Sequence, residues 1–329
     1  MQIIFILASL LLGILGTAFL PDSNTSSTLT DTLSTLQRPI ETLAKLPLSD
    51  IRAQTAQLIA PAASMPPEVL PPYRKWDVPS PEIDAKAAIV VGAKSGRVLY
   101  ERNMRQRLPI ASLTKLATAL IAMDEFLLYD EVAITRHAVS SGGDYGNLVV
   151  GERLTVHDLL RAMLIASSND AAIALADHLA ATKGKTMTEL MNAKAYALHL
   201  ANTHFASVSG LEDRNNYASA EDVARIALAA IGNTTLSEIL HTANADIHAL
   251  DGKFTHRLVT SNKLLNRFDG VIAGKTGYTT TAGGTLAIVA KNAHADDDFI
   301  VVILGSTNEQ TRFEAAETLI TWVDAAYRW

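Results

Sequence analysis

The chain has 329 residues, 48% of them hydrophobic, no cysteine, and 34 acidic against 28 basic side chains, for a formal charge of -6. That length and apolar content suffice to bury a core in one large domain or two ordinary ones. The lack of cysteine excludes a disulfide framework, a thiolate zinc site and a cysteine nucleophile, and without a dense basic run nucleic acid is not an expected partner.

The first element is the uncharged run from Ile3 to Leu20, "IIFILASLLLGILGTAFL", which as a helix would span roughly 27 Å, close to a bilayer core. It predicts export or anchoring. Gly16 and Ala18 supply small residues for cleavage, yet no Lys or Arg precedes the run, so a signal peptide and an uncleaved membrane anchor both stay open. Residues 21–82 read as a spacer: "PDSNTSSTLTDTLSTLQ" is polar, and "PAASMPPEVLPPYRKWDVPSP" holds seven of the 11 prolines. Such composition favours extended, mostly flexible chain over packing. The folded domain is expected over residues 83–329.

That domain opens with "KAAIVVGAKSGRVLYERN", two β-rich runs around Lys94-Ser95-Gly96 that predict a hairpin. Five stretches of helical periodicity follow: "LTKLATALIAM", "TVHDLLRAMLIA", "DAAIALADHLA", "MTELMNAKAYALHL" and "AEDVARIALAAI". A second hairpin is expected around Asp251-Gly252, between "ADIHAL" and "KFTHRLVT". The chain ends with "TLAIVAK", the polar loop "NAHADDD", "FIVVILGS" and a helix from about Asn308 that carries Phe313, Ala316, Leu319, Ile320, Val323 and Tyr327 on its apolar side. Strands at both ends with helices between them predict an α/β fold: a sheet formed from both ends of the domain, flanked by helices, with a mainly helical subdomain inserted. A site is expected in the cleft between those layers. Asp296, Asp297 and Asp298 read as a solvated loop tip rather than a calcium site. The nine histidines are scattered and form no His-Glu-x-x-His, so no metal or organic cofactor is expected.

Three short polar stretches carry the chemistry. In Ser112-Leu113-Thr114-Lys115 the i,i+3 spacing puts a hydroxyl and an amine on one helix face, beside the unpaired N–H groups of a first turn. Serine at that place is also a common N-cap. Ser167-Ser168-Asn169 interrupts two apolar helical runs, with Asp170 able to cap the second. It could equally be a plain inter-helix turn, since another Ser-x-Asn occurs at Ser306-Thr307-Asn308. Lys275-Thr276-Gly277 is the only Lys-Thr-Gly in the chain, and a glycine within a strand marks close approach by another backbone or a hairpin bend.

In this order and in these settings the three match the Ser-x-x-Lys, Ser-x-Asn and Lys-Thr-Gly set of penicillin-binding proteins and class A β-lactamases. The chain resembles the serine-type D-alanyl-D-alanine carboxypeptidases, the low-molecular-mass penicillin-binding proteins of the bacterial cell envelope. The likeness covers most of residues 83–329 and includes "LPIASLTKLATALIA", "GERLTVHDLLRAMLIASSNDAAIALADHLA", "FASVSGLEDRNNYASAEDVARIA" and "TSNKLLNRFDGVIAGKTGYTTTAGGTLAIVAK". It implies a β-lactamase/transpeptidase-like fold with a five-stranded antiparallel sheet. It also implies roles: Ser112 as nucleophile, Lys115 as its base, Ser167 as proton relay, Asn169 and Lys275 as partners of that machinery, and the backbone N–H groups of Ser112 and Tyr278 as oxyanion hole. Thr276 and Thr279 fall where the family binds the substrate's terminal carboxylate, Gly277 and Tyr278 are substrate-binding positions beside them, and Arg312 is a further candidate for that anion. The implied partners are peptidoglycan stem peptides ending in D-Ala-D-Ala, with β-lactams as covalent inhibitors.

Two departures accompany the likeness. Many relatives have His before "YS" where this chain has Asn216-Tyr217-Ala218. Many also continue into a β-rich domain and an amphipathic membrane helix, whereas this sequence stops at Trp329, so attachment is expected only through residues 3–20. The rival functions are a class A-like β-lactamase, for which Glu212 and Asn216 have the Glu-x-x-x-Asn spacing, a non-catalytic peptidoglycan-binding protein on the same fold, and transpeptidase or endopeptidase action on the same bonds.

Overall fold

The structure, a computed structural model, describes residues 72–329 apart from 141–146, 212, 266 and 269. The apolar run of residues 3–20, the spacer up to residue 71, and Glu212 lie outside the described residues.

Five strands build the central sheet: β1 (Ala87–Gly92), β2 (Val98–Arg102), β3 (Val271–Thr279), β4 (Gly283–Ala290) and β5 (Phe299–Ser306). Their order is β3-β4-β5-β1-β2, antiparallel throughout. The two ends of the domain meet where β5 pairs with β1, from Phe299 opposite Gly92 to Leu304 opposite Ala87. Successive side chains of a strand point to opposite faces. Ala87 and Ile89 therefore join Ile300, Val302 and Leu304 in the core beneath the helical subdomain, while Ala88 and Val90 join Val301 and Ile303 in the core beneath the C-terminal helix. Cover on both faces explains why "AAIVVG" and "FIVVILGS" are apolar without alternation.

The five periodic stretches form α1 (Thr114–Glu125), α2 (Val156–Leu164), α3 (Asn169–Lys183), α4 (Met187–Ala197) and α5 (Ala220–Ile231). A further helix, α6 (Thr234–His241), has too few turns to display a period. Local chemistry sets the ends. Thr155 Oγ1 accepts from the Asp158 N–H at 3.1 Å, Ser219 Oγ from Asp222 at 3.2 Å and Asn233 Oδ1 from Leu236 at 3.1 Å, and Gly184 closes α3 at φ +62. The C-terminal helix, α7 (Thr311–Ala326), begins after the expected Asn308 because the Asn308 side chain accepts from the Gln310 and Thr311 N–H groups and holds a turn ahead of it. It also stops short of Tyr327, which pairs in a two-residue strand with Tyr73–Arg74. The second hairpin is as expected: Asn244–His248 pairs with Thr255–Val259 around Gly252 at φ +72.

Residues 72–82, expected as spacer, are fastened to the β2 side of the sheet. The segment's prolines carry no N–H to pair, and its carbonyls are available to the domain. Trp322 Nε1 donates to Pro79 O at 2.7 Å and the Lys75 N–H to the Ala326 carbonyl at 2.8 Å, while just beyond the segment Arg102 Nη1 donates to Ile83 O at 2.8 Å; within the segment Arg74 Nη2 bonds Val78 O at 3.0 Å. The Arg74 guanidinium also stacks 4.3 Å from the centre of the Trp322 ring, a favourable cation–π separation. The packed chain thus starts upstream of the boundary at 83 that proline content suggests. At the loop tip, Asp296 pairs with Lys94 at 2.5 Å and Asp297 accepts from the Lys94 N–H at 2.7 Å, tying the loop between β4 and β5 to the turn between β1 and β2.

Candidate active site

Ser112 lies in a 3-10 turn, Ala111–Leu113, that leads into α1. The N-cap positions are Ile110 and Leu113, and neither has a side-chain cap bond, so the serine is not spent on capping. Ala111 adopts φ +47, an uncommon conformation for a residue with a Cβ. Its carbonyl packs so tightly on Gly210 that a Cβ there would overlap the oxygen, and Gly210 itself has φ +84. Ser112 Oγ is 2.8 Å from Lys115 Nζ. The lysine is fully buried, and Nζ also donates to Asn169 Oδ1 at 2.7 Å and to the Ser209 carbonyl at 2.7 Å. Burial, and then the positive charge of Lys275, push its pKa well below the usual lysine value.

The second polar triplet joins α2 to α3. Ser168, rather than Asp170, is the cap: its Oγ accepts from the Ala171 N–H at 3.0 Å. Asp170 sits in the first turn, where burial raises its carboxyl pKa. Ser167 takes φ +64, and this bend sends the hydroxyls of consecutive serines in different directions. Ser167 Oγ meets Lys275 Nζ at 2.8 Å while Asn169 turns inward to Lys115.

The third triplet lies on β3 at the edge of the sheet. Lys275 is buried, its Nζ also donating to the Thr276 carbonyl at 2.9 Å, and burial followed by the charge of Arg312 lowers its pKa to about 7. Gly277 is the close approach that a glycine in a strand predicts: a Cβ there would stand 2.7 Å from the Ser112 backbone N and 3.0 Å from Ala111 Cβ. Thr276 Oγ1 bonds Ser261 Oγ at 2.6 Å, and Thr279 Oγ1 accepts from the Ala282 N–H at 3.1 Å. Arg312, on α7, is buried, donates from Nη1 to the Gly277 carbonyl at 2.6 Å and reaches Glu309 from Nη2 at 3.3 Å; its buried Nε has no partner among the described residues.

All ten candidates gather here. A cavity of about 430 Å³ touches Ser112, Ser167, Asn169, Thr276, Gly277, Tyr278, Thr279 and Arg312, with Lys115 and Lys275 in the wall behind it. A larger cavity of about 730 Å³ beside β2 and Trp322 holds none of these groups; convergent chemistry rather than size marks the site. Among the described residues no three His, Asp or Glu side chains are grouped to hold a metal.

Sequence reasoning missed Ser209, Gly210, Ser261 and Glu309. Ser209 acts through its backbone carbonyl and Gly210 through its lack of a side chain, so neither carries a chemical signature, and Ser261 and Glu309 are lone polar residues outside any motif. Asn216, at the departure from the family pattern, is buried and committed to structure. Its Nδ2 donates to Thr114 Oγ1 at 2.9 Å, and its Oδ1 accepts from the Ala206 and Ser207 N–H groups, each at 3.2 Å.

A family model described as D-alanyl-D-alanine carboxypeptidase, peptidase S11, matches residues 75–308. The chain is 34% identical over 257 residues to the D-alanyl-D-alanine carboxypeptidase DacC of Escherichia coli, covering 74% of this chain and 62% of that protein. Against the D-alanyl-D-alanine carboxypeptidase DacF of Bacillus subtilis the identity is 32% over 250 residues, with 74% and 63% covered. The chain therefore spans less than two thirds of the length of these relatives. The solved structure of the Streptomyces K15 DD-transpeptidase superposes with a TM-score of 0.70 at 28% identity, covering 75% of this chain and all of that one.

Proposed function

Because the chain belongs to the D-alanyl-D-alanine carboxypeptidase family, we propose that it is a serine D-alanyl-D-alanine carboxypeptidase that removes the terminal D-Ala from peptidoglycan stem peptides through an acyl-enzyme on Ser112. The observation that carries this reading is the surroundings of the Lys115 amine. A neutral amine has two N–H bonds and one lone pair. The Asn169 and Ser209 oxygens, both 2.7 Å away, accept from those two N–H bonds, and the lone pair is left for the Ser112 hydroxyl at 2.8 Å. With the lysine pKa depressed, the base is ready at neutral pH.

Ser112 Oγ then attacks the penultimate D-Ala carbonyl as its proton passes to Lys115. The oxyanion forms beside the Ser112 and Tyr278 N–H groups, where such donors typically contribute a few kcal/mol. The C–N bond breaks, the departing amine takes a proton by way of Ser167, and water hydrolyses the ester to free Ser112. Lys275 holds Ser167, while Arg312 supplies positive charge and Thr276 and Thr279 supply hydroxyls for the substrate carboxylate. Their proximity supports this: Arg312 bonds the carbonyl of Gly277, the residue after Thr276. A strained β-lactam amide is open to the same attack, so penicillin acylates Ser112. The uncharged run of residues 3–20 supports action outside the cytoplasm, in the cell envelope, with the chain secreted or tethered there.

The test is to incubate the full chain with a fluorescent penicillin and with diacetyl-lysyl-D-Ala-D-Ala, alongside Ser112→Ala. Covalent label and D-Ala release are expected from the intact protein only. Label on the alanine variant removes Ser112 from its role, and rapid loss of the penicillin adduct without D-Ala release points to a β-lactamase instead.

A further inference from the structure

Arg312 is the cation that lines the catalytic cavity, and its neighbours use only part of what it can bind. A guanidinium carries five N–H donors. Nη1 donates to the Gly277 carbonyl at 2.6 Å and Nη2 to Glu309 Oε2 at 3.3 Å, while the buried Nε has no partner among the described residues. The two contacts differ in kind. The Gly277 carbonyl belongs to the backbone of β3 and is fixed there. Glu309 lies in the turn ahead of α7 and lines the cavity beside Arg312, and its side chain is 58% exposed against 4% for the arginine.

That asymmetry has a consequence at a site for an anion. A buried guanidinium without a counter-charge is costly, and among the described residues Glu309 is the only acidic side chain within ion-pair distance of Arg312. The glutamate itself is hydrated and can swing away with little loss, because pairs with a solvent-exposed partner contribute little. A substrate carboxylate that comes to Arg312 finds Glu309 already on Nη2. Two carboxylates at one guanidinium repel each other.

We propose that Glu309 is a specificity-determining residue: it occupies Arg312 in place of the substrate's terminal carboxylate while the site is empty, and gives way to that carboxylate on binding. It therefore weakens the binding of ligands that end in a free carboxylate and not of those in which that group is neutral. The inference rests on the carboxypeptidase reading above, with Arg312 receiving the carboxylate. Among the described residues the Glu309 carboxylate bonds Arg312 and neither Ser112 nor Lys115, so its effect is expressed in KM rather than in kcat.

The experiment measures kcat and KM of the full chain for diacetyl-lysyl-D-Ala-D-Ala and for the same peptide with its terminal carboxylate amidated. Glu309→Gln leaves the buried guanidinium without a counter-charge until the ligand supplies one. It is expected to lower KM for the acid about fivefold, the upper range for a pair with one exposed partner, and to raise the acid-to-amide ratio of kcat/KM by the same factor. Glu309→Asp keeps the charge and should return the ratio toward that of the wild type. Acylation by benzylpenicillin and by its methyl ester supplies the same comparison where the amide is cleaved too slowly to measure. A ratio unmoved or lowered by Glu309→Gln, or a gain shared equally by acid and neutral ligands, overturns the inference while the carboxypeptidase reading stands. Release from neither peptide by the wild type overturns the reading and the inference together.

Discussion

The amines of Lys115 and Lys275 occupy one buried wall, and each proton one of them carries discourages a proton on the other. Protonation of either weakens the base, so the rate of Ser112 acylation by penicillin is expected to fall as pH drops through about 7, the value to which Lys275 is lowered. A rate flat between pH 8 and pH 5 contradicts this. Stability moves in the same direction. Between pH of about 7 and the ordinary lysine value of 10.5 the unfolded chain holds a proton at Lys275 that the folded chain has lost, so the free energy of unfolding rises with pH across that window. Lys275→Met removes this dependence, so the denaturant midpoint of the wild type should rise relative to that of the variant as pH goes from 7 to 10. Gly277 makes a steric claim of the same scale. With its Cβ aimed 2.7 Å from the Ser112 N and 2.5 Å from Thr285 Oγ1, Gly277→Ala displaces the nucleophile's backbone, and acylation should slow by about a hundredfold. An alanine variant that labels normally with penicillin sinks the idea that this glycine sets the position of Ser112. The catalytic side chains were legible from residue type and spacing. Whether Ser168 or Asp170 caps α3 was not, because both are good caps and only the helix's actual first turn separates them.

Between elements, the segment from Ala206 to Asn216 is what closes the site from the side of α1. Asn216 holds it by three bonds, two within the segment and one to Thr114 at the start of α1. Asn216→Ala leaves buried polar groups unpaired and should cost about 2–3 kcal/mol, read as a lower urea midpoint with an unchanged m value. A midpoint within error of the wild type removes the bracket from the account. The long helices were plain in the sequence because an apolar period of 3.6 residues, sustained over three turns, suits a helix and no strand. Eight-residue α6 and the start of α7 were hidden, since one or two bonds accepted by the Asn233 or Asn308 side chain decide them, and α7 ends where Tyr327 pairs with Arg74. The close seat of Ala111 on Gly210 was equally invisible: two neighbours that touch only through backbone leave no pattern of side chains.

For the molecule as a whole, the site occupies the β3 edge of the sheet and the proline-rich residues 72–82 are fastened beside the opposite edge, β2. A chain that begins at Ile83 should therefore melt lower by about 5–10 °C, the scale expected from loss of a few hydrogen bonds and a stacked tryptophan. It should still be labelled by penicillin. An unchanged melting temperature shows that the fastening contributes nothing. Proline content predicted a free spacer here because composition reports what a segment lacks, N–H groups to pair, and not which neighbours donate to its carbonyls.

The sequence alone determined the class of fold, the strand-helix-strand order and the three polar triplets, since periodicity, turn residues and side-chain chemistry are local properties written in neighbouring letters. Tertiary structure decided the rest. Desolvation and the field of a second lysine depend on everything packed around a group, and so the state of the Lys115 amine could be known only once the chain from residue 112 to residue 312 had closed over it.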